Sequence, residues 1–223
     1  NFIVLLGWNP GTERELFTLD ELVKEFSLEK VQKAGAVFNV QRLDFINGHY
    51  IKEKPISKLT ELCLPFLLAP RSLGEVGSGL DTAQFTKHQL ESIIELHRPR
   101  LKKLSEISAM TDYFFQTPNY EPALLAWAKM SSGEVKIALT ACKKVLEATT
   151  AFDKNTLETL LVQETKLFNL EKNYPLENKG YLLWPLRVAL SGKSASAGPF
   201  EIAEILGKDK TLERVDNALK ILA

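Results

Sequence analysis

Two basic segments, far apart along the chain, carry the side chains best suited to bind a ligand. The first contains Arg98, Arg100, Lys102 and Lys103, and the second contains Arg187. Neither segment includes an acidic residue, although the whole chain balances 28 lysines and arginines against 28 acidic residues. A guanidinium is a planar group of five N–H donors without an acceptor. Each arginine therefore needs acceptors, either an internal carboxylate or atoms of a bound molecule.

Both arginines lie close to a proline and near the expected end of a helix. Pro99 directly precedes Arg100, and Pro185 lies shortly before Arg187. Because proline restricts the backbone, a guanidinium at such a position can be held in one orientation. Arg187 is the more unusual of the two, since it interrupts an apolar run over residues 181–190. Its partner could be a carboxylate or an external acceptor, and both options stay open.

Spacing alone favours a plainer interpretation of the first segment as the solvated face of a helix. No arrangement of side chains indicates catalysis or metal binding. The three histidines are dispersed, and Cys63 and Cys142 lie in apolar helical patterns that predict reduced, buried thiols. The glycine-rich stretch 74–79 lacks the preceding strand and following Lys-Ser/Thr of a phosphate loop. We expect no catalytic residue and no metal site.

Composition limits the class of protein. A chain of 223 residues suggests one large domain or two modest ones, and 45% apolar residues argue against wholesale disorder. A net charge of zero means that any contact with nucleic acid must come from local basic patches. The longest apolar runs are too short for a membrane span, so we expect no membrane partner.

The elements that position the basic segments are predicted to be helices. Pro99 should open a helix that runs to Tyr113, and a helix over 179–190 should carry Arg187 and end at Gly192. A capping box at Thr18 opens the first of the other predicted helices. The remaining ones span 41–54 with a break at Asn47-Gly48, 57–68, 86–96, 122–129, 134–148, 155–170, 200–206 and 211–222. The fold class is therefore predicted to be all-α.

A series of short motifs resembles bacterial glutamyl-tRNA synthetase, in the part that follows its catalytic half. The resemblance covers essentially the whole chain in order, and it is weakest at 70–83 and 120–175. The motifs are Leu5-Leu6-Gly7-Trp8, Glu15-Leu16-Phe17-Thr18, Phe26-Ser27-Leu28-Glu29-Lys30-Val31, Phe38-Asn39-Val40, Ile46-Asn47-Gly48-His49-Tyr50-Ile51, Arg98-Pro99-Arg100, Pro185-Leu186-Arg187-Val188-Ala189-Leu190-Ser191-Gly192, and Gly198-Pro199-Phe200-Glu201-Ile202 with Leu206-Gly207.

The resemblance implies a stem-contact helical domain at 1–62 and two stacked helical anticodon-binding subdomains at 63–117 and 118–223. The catalytic domain of this class I ligase, which uses ATP and Mg²⁺, would lie upstream in the same chain. The expected partners are tRNA(Glu) and that catalytic domain, in a cytoplasmic monomer. A fragment of this kind needs no cofactor, binds tRNA and does not charge it.

The resemblance also assigns site residues. Arg100 corresponds to the arginine that reads the third anticodon base, and Arg187 to the arginine near the first base. The loop of Ser196, Ala197, Gly198 and Pro199 corresponds to the segment that meets anticodon bases. Nearby phosphate contacts are expected from Arg98, Lys102 and Lys103.

Base chemistry is consistent with this assignment of Arg100. Glutamate anticodons end in cytosine, whose O2 and N3 acceptors suit a guanidinium. Glutamine anticodons end in guanine, whose N1–H and N2–H would face the donors of Arg100, so Arg100 should discriminate against tRNA(Gln). The alternatives are a glutamyl-queuosine or other synthetase paralogue and a helical scaffold or protein-interaction module without an RNA role.

Overall fold

The computed structural model describes residues 1–32, 35, 37–68 and 80–222. Within these ranges the chain forms ten α-helices and no β-strand, and its β pairing is a single isolated antiparallel bridge between Trp8 and Val31. The prediction of an all-α fold is confirmed. The helices are α1 Phe2–Gly7, α2 Leu19–Glu25, α3 Val40–Glu53, α4 Ile56–Leu68, α5 Lys87–His97, α6 Ile107–Phe115, α7 Ser132–Ala148, α8 Lys154–Lys172, α9 Gly180–Ser191 and α10 Pro199–Ile221.

Several helices begin at side chains that cap their first turn. Thr18, Thr86 and Ser131 each accept a hydrogen bond from the backbone N–H three residues later. The side chain of the Glu or Gln at that later position in turn accepts a hydrogen bond from the backbone N–H of the capping residue. These capping boxes satisfy N–H groups that have no partner inside the helix. At the other end, Gly192 ends α9 with a φ of 67°, as predicted. Gly207 interrupts α10 with a φ of 77°, so the two predicted C-terminal helices meet at this residue.

The helix predicted from Pro99 to Tyr113 is wrong over its first half. Arg98–Arg100 form only a 3₁₀ turn, Leu101 is extended, and α6 begins at Ile107. The Glu106 carboxylate accepts the backbone N–H groups of Lys102 and Lys103 at 3.0 and 3.1 Å. This carboxylate satisfies the N–H groups that an earlier helix start would have satisfied, while Leu101 is fully buried in the core.

Two further helix predictions are wrong for tertiary or local reasons. Helix α3 continues through Asn47-Gly48, because the Asn47 amide donates to the Lys102 carbonyl and Gly48 is buried against the backbone of residues 101–102. These contacts offset the low helix propensity of the two residues. The helix predicted at 122–129 is a 3₁₀ turn, Pro122–Leu125, and Ala128 has a φ of 53°.

Buried apolar side chains form two clusters. The larger one extends from Ile51 to Ala218 and includes residues from both predicted anticodon-binding subdomains. The smaller one belongs to the first section of the chain and consists of Phe2, Leu5, Trp8, Phe17, Leu22 and Ile46. The domain boundaries at 62 and 117 stay predictions.

The thiols of Cys63 and Cys142 are free and buried, as predicted. Burial raises the pKa of Cys63 to about 11 and also raises the pKa of Cys142. The glycine-rich stretch 74–79 lies outside the described residues. Among the helices of the described ranges, none has the length and apolar character that crossing a membrane requires.

Candidate nucleic-acid interface

The side chains of Arg100 and Arg187 meet at residues 193–198, which we call the serine loop. Nη1 of Arg100 donates to the Ser196 carbonyl oxygen at 3.0 Å, across 96 positions of sequence. Arg187 donates from Nη2 to the Ser194 carbonyl at 2.9 Å and from Nη1 to the Ser196 hydroxyl at 3.4 Å. The fold therefore brings both predicted anticodon-reading arginines to one short segment.

Helix α9 and the indole of Trp184 hold Arg187 in place. The guanidinium carbon lies 4.4 Å from the centre of the Trp184 ring, whose Nε1–H donates to the Leu124 carbonyl at 2.9 Å. Partial burial, followed by the nearby charge of Arg100, lowers the pKa of Arg187. Within the described ranges, this half-buried arginine is thus bound by carbonyl and hydroxyl oxygens and an aromatic face, rather than by a carboxylate.

The two guanidinium charges have no ionic partner among the residues that the structure describes. In the part of the chain that the structure describes, neither Arg100 nor Arg187 has a carboxylate within ion-pair distance. Neighbouring basic residues do: Lys193 pairs with Asp112 at 2.6 Å, and Lys103 pairs with Asp44 at 3.2 Å. Positive charge at the serine loop is therefore concentrated on two arginines and is not neutralised within the described protein.

Arg100 keeps the larger number of hydrogen-bond donors available. Its side chain is exposed, and only Nη1 is engaged, so Nε and Nη2 make no hydrogen bond among the described residues. These two nitrogens form one edge of the guanidinium fork, which suits a pair of acceptors in one plane. Arg187 uses both of its terminal nitrogens on the serine loop. Arg100 is thus better arranged for a bidentate contact with a ligand.

The other predicted loop residues divide into accessible and buried positions. Ser196 and Gly198 are half-buried, whereas Ala197 and Pro199 are buried at the start of α10. An added Cβ at Gly198 would lie 2.4 Å from a carboxylate oxygen of Glu201, so a larger residue would have to displace that side chain. Ala197 and Pro199 anchor the loop in the core, and Ser196 faces the arginines.

The predicted phosphate contacts are not equally available. Arg98 pairs with Glu95 at 2.5 Å and donates to the Lys52 carbonyl at 3.2 Å. Lys103 is held by Asp44 on α3. Lys102 is exposed and forms no ion pair with any described residue. Of the three, Lys102 is the cation that could bind a phosphate without first giving up an internal partner.

Three buried residues with polar groups around the site, His97, Tyr113 and Arg214, were missed or left undecided by the sequence analysis. His97 is packed in the core, where its Nε2 lies 2.9 Å from the Tyr113 hydroxyl. Arg214 is buried and donates to the carbonyls of Leu190 and Gln116, and burial lowers its pKa to about 10. The available signals were apolar residues at helical spacing, Ile93 and Ile94 before His97 and Ala218 after Arg214, and the aromatic run 113–115. They indicate burial but not the partner.

Comparison with known proteins identifies the family. A family model described as "Anticodon binding domain" matches residues 58–219, and the chain belongs to this family. Over its full length it matches the C-terminal portion of glutamate–tRNA ligases. It is 36% identical to the glutamate–tRNA ligase of Clostridium kluyveri over 100% of this chain and 42% of that protein. It is 34% identical to that of Clostridium novyi over 96% of this chain and again 42% of the relative.

Solved structures agree with these relatives at the level of the fold. A crystal structure of a glutamate tRNA ligase from Elizabethkingia meningosepticum, in complex with its amino acid, aligns with 100% of this chain and 40% of its own. The TM-score is 0.78 at 21% identity. The glutamate-tRNA synthetase of Elizabethkingia anophelis aligns with a TM-score of 0.74 at 19% identity, over 98% of this chain and 39% of its own. The chain thus spans less than half the length of the ligases it matches.

Proposed function

We propose that this chain binds tRNA(Glu) and recognises its anticodon, as the anticodon-binding part of a glutamate–tRNA ligase. The observation that carries the proposal is the convergence of Arg100 and Arg187 on the serine loop, where no carboxylate of the described residues neutralises them. Two neighbouring guanidinium charges beside exposed loop backbone suit a polyanion whose bases are splayed out of the stack. Membership of the anticodon-binding family supports the same assignment.

In this proposal Arg100 reads the third anticodon base. Its Nε–H and Nη2–H edge donates to O2 and N3 of cytosine, while the Ser196 carbonyl holds Nη1. Guanine at that position presents N1–H and N2–H, so donors face donors. Arg187 lies near the first base and contributes charge and loop geometry, because both of its terminal nitrogens already donate to the serine loop. This chemistry discriminates against tRNA(Gln).

The chain binds tRNA and does not charge it. Adenylate formation with ATP and Mg²⁺, and transfer of glutamate to tRNA, belong to the remainder of the ligase, since the matched relatives are more than twice as long as the aligned part. The partners in the proposal are tRNA(Glu) and the catalytic domain of the same ligase. The proposed setting is a cytoplasmic monomer.

The experiment compares two tRNA(Glu) transcripts that differ only in the third anticodon base, C or G. A good bidentate base contact discriminates by roughly 1–3 kcal/mol, or about 5- to 150-fold in the dissociation constant. We expect wild-type protein to prefer the C-ending anticodon by a factor in this range. Arg100→Gln should lose most of that preference, because an amide can present either a donor or an acceptor.

Lys210→Gln serves as the control, because Lys210 is an exposed cation that bonds to Gln84, away from the serine loop. It removes the same charge as Arg100→Gln and should leave the C-over-G ratio unchanged. An unchanged ratio in Arg100→Gln would mean that Arg100 does not read this base. Equal, anticodon-independent binding by the wild type would favour the helical scaffold instead.

A further inference from the structure

Lys193, the first residue of the serine loop, is bound to helix α6. Its Nζ lies 2.6 Å from Oδ1 of Asp112 and also donates to the Ala109 carbonyl oxygen. The centre of the Tyr113 ring lies 5.7 Å from the same nitrogen, within the range of a cation–π contact. An ammonium group has three N–H donors and no acceptor, so most of the binding capacity of Lys193 is used inside the protein.

The serine loop is held at both of its ends, with a short span between them. Lys193 is bound to α6 at one end, and Ala197 is buried at the other. Residues 194–196 lie between these points and supply the acceptors for Arg100 and Arg187. Because a segment regains backbone freedom when one of its ends is released, the bond between Lys193 and α6 limits where these acceptors can lie.

The ion pair also joins the two predicted anticodon-binding subdomains. Asp112 belongs to α6, in the first of them, and Lys193 follows α9, in the second. The hydrogen bond from Arg100 to the Ser196 carbonyl crosses the same predicted boundary. The side chains of Asp112 and Lys193 are 24% and 29% exposed, so salt screens this pair less than a fully exposed one. The pair is therefore a second link across the boundary, beside the one that orients Arg100.

We propose that Lys193 and Asp112 form a positioning ion pair, which holds the serine loop where the Ser196 carbonyl meets Arg100 and on which anticodon discrimination depends. This inference rests on the proposed function of Arg100. Neither member of the pair needs to contact the RNA. A base-reading side chain must have a fixed orientation, and that of Arg100 comes from the Ser196 carbonyl.

A phosphate contact by Lys193 would give a different result, and the C-over-G ratio distinguishes the two roles. Removing the charge of Lys193 or of Asp112 changes the general attraction between the protein and RNA. This change is common to the C-ending and G-ending transcripts, because phosphate contacts carry no sequence information, and it cancels in the ratio. Loss of a phosphate contact therefore leaves the ratio unchanged, whereas loss of a positioning pair lowers it.

The test measures binding of the two transcripts by Lys193→Gln, Asp112→Asn and the double variant. Each single substitution breaks the ion pair, and the C-over-G ratio should fall about threefold to tenfold, the scale of one net hydrogen bond. The ratio of the double variant should fall no further, because the pair is already broken in each single variant. Lys193→Arg keeps the positive charge and N–H donors and should retain most of the preference.

Lys143→Gln is the matched control, because Lys143 forms an ion pair of the same length, 2.6 Å, with Asp216 between α7 and α10. The exposed fraction of the Lys143 side chain, 28%, is also close to that of Lys193. Lys143 has no bond to the serine loop among the described residues. This variant loses a similar ion pair, and its C-over-G ratio should stay at the wild-type value.

Nuclear magnetic resonance of the free protein provides a readout that does not involve RNA. The order parameters of the Ala195 and Ser196 backbone N–H groups should fall in Lys193→Gln and in Asp112→Asn, since a released loop moves more on the picosecond-to-nanosecond timescale. They should stay unchanged in Lys143→Gln. Unchanged order parameters in the first two variants would contradict the anchoring of the loop by this pair.

The outcomes separate the positioning role from the proposed function. A wild type without anticodon preference would overturn the proposed function, and the role of the pair in discrimination with it. A wild-type ratio in both Lys193→Gln and Asp112→Asn would overturn the positioning role alone, and equal losses of affinity for the two transcripts in Lys193→Gln would then identify a phosphate contact. Additive losses in the double variant, or an equal loss in Lys143→Gln, would also overturn it.

Discussion

Arg187 and Arg214 have no carboxylate partner among the described residues, but their surroundings differ. We expect this difference to make Arg187 important for binding and Arg214 important for stability. Arg187 is half-buried at the serine loop, with its guanidinium against Trp184 and two loop acceptors. Arg214 is buried within the core and donates to the carbonyls of Leu190 and Gln116, near the C-terminal ends of α9 and α6. The first guanidinium faces a surface loop, and the second connects three helices.

We expect Arg187→Ala to weaken tRNA binding about tenfold or more, with only about 1 kcal/mol lost from the free energy of unfolding. Arg214→Met should show the opposite pattern. It leaves two buried carbonyls without donors, at about 1–3 kcal/mol each, while the remaining folded protein binds nearly as well as wild type. Thermal unfolding and tRNA titration of the two variants test this contrast. A large loss of stability in Arg187→Ala with normal binding would reverse the assignment.

The lysines next to Arg100 give a second residue-level prediction. Lys102 has no ionic partner among the described residues, whereas Lys103 pairs with Asp44. Lys102→Ala should weaken binding of C-ending and G-ending transcripts alike and reduce the slope of log affinity against log salt by about one. Lys103→Ala should have a smaller effect, because that cation must leave Asp44 to reach a phosphate. Equal slopes in all three proteins would argue against a phosphate contact at Lys102.

At the level of helices, Glu134 joins the start of α7 to the end of α8. Its carboxylate accepts hydrogen bonds from Tyr174 and from the backbone N–H and hydroxyl of Ser131. The Tyr174 hydroxyl, followed by Ser131, lowers the pKa of Glu134 to about 2. A carboxylate whose pKa is depressed by folding stabilises the folded state above its ordinary pKa, and this contribution disappears as the pH falls from about 4.5 to 2.

Glu134→Gln should therefore be less stable than wild type at neutral pH, and the difference should shrink as the pH falls through this range. Denaturant unfolding at a series of pH values measures it. Glu177→Gln is the control, since Glu177 is exposed and makes no side-chain hydrogen bond among the described residues. We expect that variant to match wild type. A stability difference for Glu134→Gln that does not vary with pH would contradict the ionic origin of the effect.

The helices that the sequence predicted correctly are those whose signals are local. Thr86 and Gln89 form their capping box within four consecutive residues, and Gly192 ends α9 through its own backbone conformation. The break at Leu101 and the continuity of α3 through Gly48 both depend on contacts between these two segments, which are far apart in the sequence. Local helix propensity could therefore not predict them. For the same reason the residue types indicated binding arginines, but the meeting of Arg100 with Ser196 requires the folded chain. The role of each arginine came from resemblance alone.

At the scale of the whole molecule, the two apolar clusters differ in size and in how many apolar side chains around them stay exposed. The smaller cluster has six buried residues among those described, and many apolar side chains of the same section remain exposed. Burial of apolar area is the main stabilising contribution, so the first section should be the less stable part. The most exposed of these side chains are Ile3, Leu19, Val23, Leu28, Val37 and Phe38.

Tryptophan fluorescence can resolve the two parts. Trp8 is buried in the smaller cluster, while Trp127 and Trp184 pack against the larger one. We expect guanidinium chloride to unfold the protein in two steps, with an early fluorescence change that is absent in Trp8→Phe and a later one that is retained. Coincident transitions by fluorescence and circular dichroism would mean instead that the two clusters unfold as one unit.

The contact between Arg100 and Ser196 also constrains events on the ribosome. After Arg100 is added to the growing chain, 96 further residues must be synthesised before its acceptor exists. At 5–20 residues per second this takes about 5–20 s. During that interval Arg100 has no loop to orient it, so under the proposed function a nascent chain cannot yet distinguish among the tRNAs around it. The proposed selectivity is therefore acquired only after Ser196 has been synthesised and the serine loop can hold the guanidinium.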